Sequence, residues 1–488
     1  MSLLLRIEDL EVSADGASTG SSDGIVRPTS LWLHAGRPLT VLGQTGSGKS
    51  LLAQAVMGVL PPGLRATGRV MFGGRDLLAL GPRERRALWG RTIGMLPQEP
   101  WLALDPTMRV GTQLEETHRL VGGLPRRDAG KAARSDLARL DLADSAGKLP
   151  YQMSGGMAQR AAFAVARAGG ARMVIADEPT KGLDADRRDE VVELLRPEAE
   201  GGGGLLVITH DLEVPRRLGG DLMVMRDGEV IESGPADELL RAPRSAYLRA
   251  LLEAEPSAWP GQRRSISVGA AGPAVLEAEG LEMARGGRTL VRGLDLSVRP
   301  GEVVGVTGPS GCGKSTLGDI LLGLAAPGAG SVRRDPAVTR IRYQKLYQDP
   351  PAAFPPHHGL RQCLLDLVRL HGLDWGRVEA LMRRLRLAPA LLDRRPREVS
   401  GGELQRLAIL RVLLLDPVFL FADEPTSRLD LLTQKETMEL LMTEARDRGC
   451  AVLLVSHDAG LVDRLADRRI RLGSPDGGRC PAAAGLHA

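Results

Sequence analysis

The sequence predicts an α/β fold built twice over, each copy a mainly parallel sheet flanked by helices. Three observations predict it. First, the apolar segment Pro38–Leu42 runs into Gly43-Gln44-Thr45-Gly46-Ser47-Gly48-Lys49-Ser50 and then into Leu51-Leu52-Ala53, a helix-like start. The arrangement recurs at Gly308-Pro309-Ser310-Gly311-Cys312-Gly313-Lys314-Ser315-Thr316. Second, aliphatic runs end in acids or histidine: Met173–Glu178, Leu205–His210, Phe419–Glu424 and Val452–His457. Such runs are too apolar for strands with one wet face and read as parallel strands covered on both. Third, the motifs recur in one order, and the interval from Ser154 to Asp177 equals that from Ser400 to Asp423. That is an internal duplication rather than two unrelated domains.

Each repeat opens on a short alternating strand, Leu5–Val12 in one and Leu276–Met283 in the other. The glycine-rich loop follows. Its glycines let successive backbone N–H groups turn inward around an anion, and the next helix adds its positive N-terminal end. The spacing GxxxxGK[ST] between strand and helix fits phosphate binding, with Lys49 and Lys314 on the phosphates and Ser50 and Ser315 placed for Mg²⁺. Next come Gln98 and Gln348. The interval from loop lysine to glutamine is about 15 residues shorter in the second repeat, so part of an antiparallel sheet is expected to be missing there. Ser154-Gly155-Gly156 and Ser400-Gly401-Gly402 each precede a helical stretch, a second anion-receptive N-terminus. Helices are expected over 158–168, 186–195, 403–415 and 434–446.

Composition narrows the function classes. The chain has 488 residues, 43% of them hydrophobic, enough for more than one core. A net charge of +4 and an aromatic content of 3% argue against a nucleic-acid surface. The four cysteines (Cys312, Cys363, Cys450, Cys480) form no CxxC pair, which argues against structural zinc and disulfides. No stretch approaches the ~18–20 apolar residues that span a bilayer, so any membrane role is expected to come through partners.

Taken together, the two phosphate loops, the glutamines, the SGG segments, the Asp-Glu pairs and the strand-end histidines resemble the ATP-binding subunits of ABC transporters. The resemblance implies a duplicated P-loop NTPase of the ABC ATPase type, each copy with a core sheet, an antiparallel subdomain and a helical subdomain. It makes Asp177 and Asp423 the Walker B aspartates and Glu178 and Glu424 the catalytic glutamates. Gln98 and Gln348 become the Q-loops, and His210 and His457 the switch histidines. Gly182-Leu183-Asp184 and Arg428-Leu429-Asp430 match the D-loops. Mg²⁺ would be held by Ser50, Gln98 and Asp177 in one site, and by Ser315, Gln348 and Asp423 in the other. ATP would be held by both loops, with the SGG segments and the D-loop aspartates, and in the family each SGG acts on the opposite domain's nucleotide.

Finer features resemble the peptide/nickel importers: Pro97-Gln-Glu-Pro, Leu104-Asp-Pro, Val110-Gly-Thr-Gln-Leu114, Tyr347-Gln-Asp-Pro350, and the ending Glu232–Leu240 with Tyr247–Leu252. The expected function is therefore the energy-coupling ATPase of an importer for peptides, nickel or metal-chelator complexes. It would lie on the inner face of the cell membrane with two permease subunits and an extracytoplasmic binding protein, without membrane insertion or nucleic acid. The alternative, a soluble tandem ATPase acting on ribosomes or nucleic acid, lacks the long charged linker and zinc-type cysteines expected of it. Two departures stand out. No aromatic residue for adenine occurs near Val12–Ala14 or Met283–Arg285, and a stiff proline-rich run, Pro350–Pro356, follows the second glutamine. The expected organisation is a first ATPase domain over 1–256, a Pro/Gly/Ser-rich linker over 257–273, a second domain over 274–475 and a flexible tail over 476–488.

Overall fold

The computed structural model describes residues 2–15, 24–98, 103–181, 183, 185–259, 273–285, 288–309, 311–426 and 429–473. It divides into two compact units, 1–252 and 253–488.

The first unit holds strands β1 (Leu3–Ala14), β2 (Val26–His34), β3 (Leu39–Leu42), β4 (Leu64–Phe72), β5 (Arg75–Asp76), β6 (Ile93–Leu96), β7 (Met173–Asp177), β8 (Gly204–Thr209), β9 (Asp221–Arg226) and β10 (Glu229–Pro235). They form two sheets. One is antiparallel, in the order β2-β1-β4-β5; the other runs β10-β9-β3-β8-β7-β6. All pairs in the second sheet are parallel except β10 with β9. Every residue of β3, β7 and β8 is buried, as their unbroken aliphatic runs require.

The second unit repeats the plan with β11 (Leu276–Arg285), β12 (Arg288–Val298), β13 (Val303–Thr307), β14 (Ala329–Arg334), β15 (Tyr343–Leu346), β16 (Phe419–Asp423), β17 (Ala451–Val455) and β18 (Arg468–Arg471). Its antiparallel sheet is β12-β11-β14 and its parallel sheet β15-β16-β17-β13-β18. The shorter interval before Gln348 corresponds to β5 and the helix Pro82–Leu88 of the first unit. Between β14 and β15 stands only the turn Arg340–Arg342.

Helices stand at the four expected stretches, at Gly155–Arg167, Ala185–Glu200, Gly401–Leu413 and Leu431–Asp447; the first and third begin earlier and end one and two residues short of the expected ends. The helical layer also includes Val110–Glu116 and Arg126–Arg139 in one unit, and Leu360–Leu370 and Trp375–Arg384 in the other. Each parallel sheet separates two apolar clusters, one shared with the antiparallel sheet and one with the helices. Burial pushes the Cys450 thiol up to about 12, which suits an inert core position.

The segment expected to begin a linker starts out packed. Residues 256–258 form a short turn, Trp259 joins the second unit's core, and the Ser257 carbonyl accepts from Arg464 Nη2 at 2.8 Å. Residues 260–272 and the tail from 474 lie outside the described residues.

Candidate nucleotide sites

Each site grows from the carboxyl ends of parallel strands, where an open α/β sheet leaves its crevice. In the first unit β3 delivers the glycine loop, β7 delivers Asp177 and Glu178, and β8 delivers His210. Gly48 sits at φ 92° and ends the loop on the helix Lys49–Met57. In the second unit Gly313 takes the same place at φ 102°, before Lys314–Leu322. Only glycine adopts this backbone without strain.

Lys49 is buried and its Nζ donates to the carbonyls of Gly43 and Gln44, each at 2.7 Å. Ser50 Oγ donates to Asp177 Oδ1 at 3.0 Å. His210 Nδ1 lies 2.7 Å from Glu178 Oε2, and Lys49 Nζ is 4.0 Å from that carboxylate's other oxygen. Burial presses Glu178 upward, but the His210 hydrogen bond and charge, with Lys49 and Lys181, outweigh it, so its pKa falls below the usual range. Asp177 is raised, chiefly by burial, with the Ser50 hydrogen bond opposing.

The second unit assembles the same types differently. Lys314 Nζ donates to Gly308 O at 2.8 Å and Pro309 O at 3.1 Å. Burial raises Asp423, and its hydrogen bond with Ser315 opposes. Glu424 is held from two sides, by Gln348 Nε2 at 2.7 Å and by His457 Nε2 at 2.6 Å. Gln98 in the first unit is exposed and, among the described residues, makes no such bond to Glu178.

Both glutamates occupy the left-handed backbone region, Glu178 at φ 49° and Glu424 at φ 47°. Such a conformation costs on the order of 1–3 kcal/mol for a non-glycine residue. Their N–H groups are pinned to the next strand, at Ile208 O (2.7 Å) and Val455 O (3.0 Å). From this backbone each carboxylate meets its histidine.

The SGG serines make no hydrogen bond to these clusters among the described residues. Ser154 and Ser400 are exposed helix N-caps, each accepting a backbone N–H with its own Oγ. Ser400 is further held by Glu403, which accepts from its N–H at 2.9 Å and its hydroxyl at 2.8 Å. Asp430 caps the helix Leu431–Asp447. Gly182, Asp184, Arg428 and Ser310 lie outside the described residues, as do residues 99–102 and the Arg285 side chain.

The family model described as "ABC transporter" matches residues 26–181 and again 291–427, each span holding one unit's glycine loop, glutamine, SGG segment and Asp-Glu pair, with His210 and His457 beyond its end. The chain belongs to the ABC transporter family. Its ATPase activity is coupled to transport, and it carries both nucleotide-binding domains in one polypeptide. The Escherichia coli (strain K12) "Uncharacterized ABC transporter ATP-binding protein YejF" is 33% identical, over 96% of this chain and 94% of the relative. The Agrobacterium fabrum "Peptidoglycan transport ATP-binding protein YejF" is 31% identical, over 95% and 90%. The Salmonella typhi "Glutathione import ATP-binding protein GsiA" is 32% identical, over 92% and 82%. A solved "RNase-L Inhibitor" superposes with a TM-score of 0.64 at 22% identity, covering 97% of this chain and 89% of that one, which shows the tandem fold alone.

For an ABC ATPase the oxygen donors fit Mg²⁺, since a hydroxyl and a carboxylate stand within hydrogen-bond reach of each other in each site. Sequence reasoning missed Lys345. Its Nζ lies 2.7 Å from Asp319 Oδ1 and 4.0 Å from Asp423 Oδ2, a cation supplied from a strand whose counterpart in the first unit carries Met95. A lysine inside the strand Tyr343–Leu346 was the available signal. Gln159 and Gln405 were missed as well. Gln159 Nε2 donates to Pro179 O at 2.6 Å, whereas both amide atoms of the buried Gln405 lack partners among the described residues. Gln405 lines a cavity of about 210 Å³ with Gln348, Pro350, Gly401 and Leu429.

Proposed function

We propose that the chain is the ATP-hydrolysing subunit of an importer for small peptide-like compounds, working with two permease subunits and an extracytoplasmic binding protein. The observation that carries this reading is the match across both domains, nearly end to end, to transport ATPases whose names specify peptidoglycan and glutathione cargo. Those names favour amide-linked cargo over nickel. No helix among the described residues is long and apolar enough to cross a membrane, so the reading places the chain on the inner membrane face through its permeases.

In each site Lys49 or Lys314 binds the β/γ-phosphates, while Ser50 with Asp177, and Ser315 with Asp423, hold Mg²⁺. The metal supplies charge neutralisation to the phosphates. Glu178 and Glu424 orient and polarise the attacking water, and phosphoryl transfer needs little beyond such positioning. The depressed pKa of Glu178 keeps it ionised for that role at neutral pH. His210 and His457 hold these carboxylates and stand where a γ-phosphate would meet them. Gln98 and Gln348 complete the metal and water environment. The SGG serines and D-loop aspartates serve nucleotide contact.

Purification of the tagged chain from its own cells tests the reading. Integral membrane subunits should co-purify, and the reconstituted complex should hydrolyse ATP faster when binding protein and a di- or tripeptide are added. Recovery of ribosomes without membrane subunits would sink it.

A further inference from the structure

The first phosphate loop touches an element that has no counterpart among the described residues of the second unit. After β10, the chain forms the helices Ala236–Arg241 and Ala246–Glu253. Tyr247, on the latter, is buried, and its hydroxyl accepts from the Gln44 N–H at 3.0 Å. That N–H belongs to the Gly43–Gln44 peptide, whose carbonyl takes Lys49 Nζ at 2.7 Å. One peptide plane therefore joins the tyrosine to the lysine. The tyrosine is itself held. Arg226 stacks its guanidinium over the ring at 5.3 Å, and the Glu232 carboxylate accepts from the N–H groups of Arg244 (3.1 Å) and Ser245 (3.2 Å). Ser245 Oγ then caps the helix by accepting from Leu248 N at 3.1 Å.

In the second unit the position of Gln44 is taken by Pro309, which has no N–H to satisfy. The Gly308 carbonyl still accepts from Lys314 at 2.8 Å, and β18 is the last element among the described residues. The proline ring restrains the backbone there. Among the described residues, the donor thus occurs where the tyrosine meets the loop, and the proline where no such contact is seen.

We propose that Tyr247 is a positioning residue for nucleotide binding in the first unit, orienting the Gly43–Gln44 peptide and through it the Lys49 ammonium. The helix Ala246–Glu253 is then part of the first site, and a force on it changes affinity there but not at the second loop. The proposal rests on the reading that this loop holds ATP.

The test uses the full chain with Lys314→Ala silencing the second loop, titrated with a fluorescent ATP analogue. Tyr247→Phe keeps the ring against Arg226 and raises Kd about three- to tenfold, the worth of one backbone hydrogen bond. In hydrolysis the loss falls more on KM than on kcat. With Gln44→Pro installed, adding Tyr247→Phe no longer shifts Kd; with Gln44→Ala, which keeps the N–H, the full shift remains. An unchanged Kd for Tyr247→Phe, or an equal shift in the Gln44→Pro background, overturns the proposal. If Lys49→Ala added to Lys314→Ala leaves binding of the analogue unaffected, the failure lies instead in the reading of the loop.

Discussion

The two candidate nucleotide sites are built from one motif set, yet they hold their glutamates differently. In the first, Glu178 is met by His210 through Nδ1, and Gln98 stands exposed. In the second, Glu424 is met by His457 through Nε2 and also by Gln348, leaving His457 Nδ1 buried without a partner among the described residues. Lys345 and Asp319 in the second occupy the positions of Met95 and Gln54 in the first. Duplication preserved the loop lysines, the Asp-Glu pairs and the strand-end histidines, while the residues around them diverged in charge and pairing.

The largest expected effect tests whether both sites work. Glu178→Gln and Glu424→Gln should each lower steady-state ATP turnover about a hundredfold, the low end of what a positioned acid–base group contributes. Phosphate release from the purified chain measures this. If one variant keeps near-parental turnover, its site is not required, and the differences around Gln98 or His457 mark which one is idle.

A smaller effect should follow from the lysine. Making the second site resemble the first, with Lys345→Met and Asp319→Gln together, removes a cation 4.0 Å from Asp423. Measured with Lys49→Ala silencing the first loop, the Mg²⁺ concentration giving half-maximal nucleotide binding should fall about three- to tenfold. That is well below the bare Coulomb figure for such a pair, because Asp319 already offsets much of the lysine's charge. A rise, or no change, would mean that Lys345 helps hold nucleotide rather than opposing the metal.

The smallest effect concerns Gln159 and Gln405, the buried glutamines of the two SGG helices. Gln159→Leu breaks the bond to Pro179 O and leaves that carbonyl unpaired, so it should cost about 1–2 kcal/mol of stability by calorimetry. Gln405→Leu breaks no such bond and should cost clearly less. Equal losses would show that the two helices are latched alike in solution.

Much of this molecule was legible as sequence because the relevant physics is local. The strand–glycine–helix turn, the fully buried strands Met173–Asp177 and Phe419–Asp423, and the SGG helix starts at Ser154 and Ser400 each follow from residue spacing and backbone preference. The order of these motifs, repeated twice, fixed the duplication and the family. What the fold alone decided are meetings between residues far apart in the chain. Tyr247 reaches Gln44, Lys345 reaches Asp319 and lies near Asp423, and Gln348 reaches Glu424. No periodicity encodes such pairs, since each depends on how separate strands and helices are placed once their apolar faces are buried. The left-handed turn at Glu178 and Glu424 belongs here too. A glutamate accepts that conformation only where the neighbouring strand holds its N–H, and that strand arrives from elsewhere in the chain.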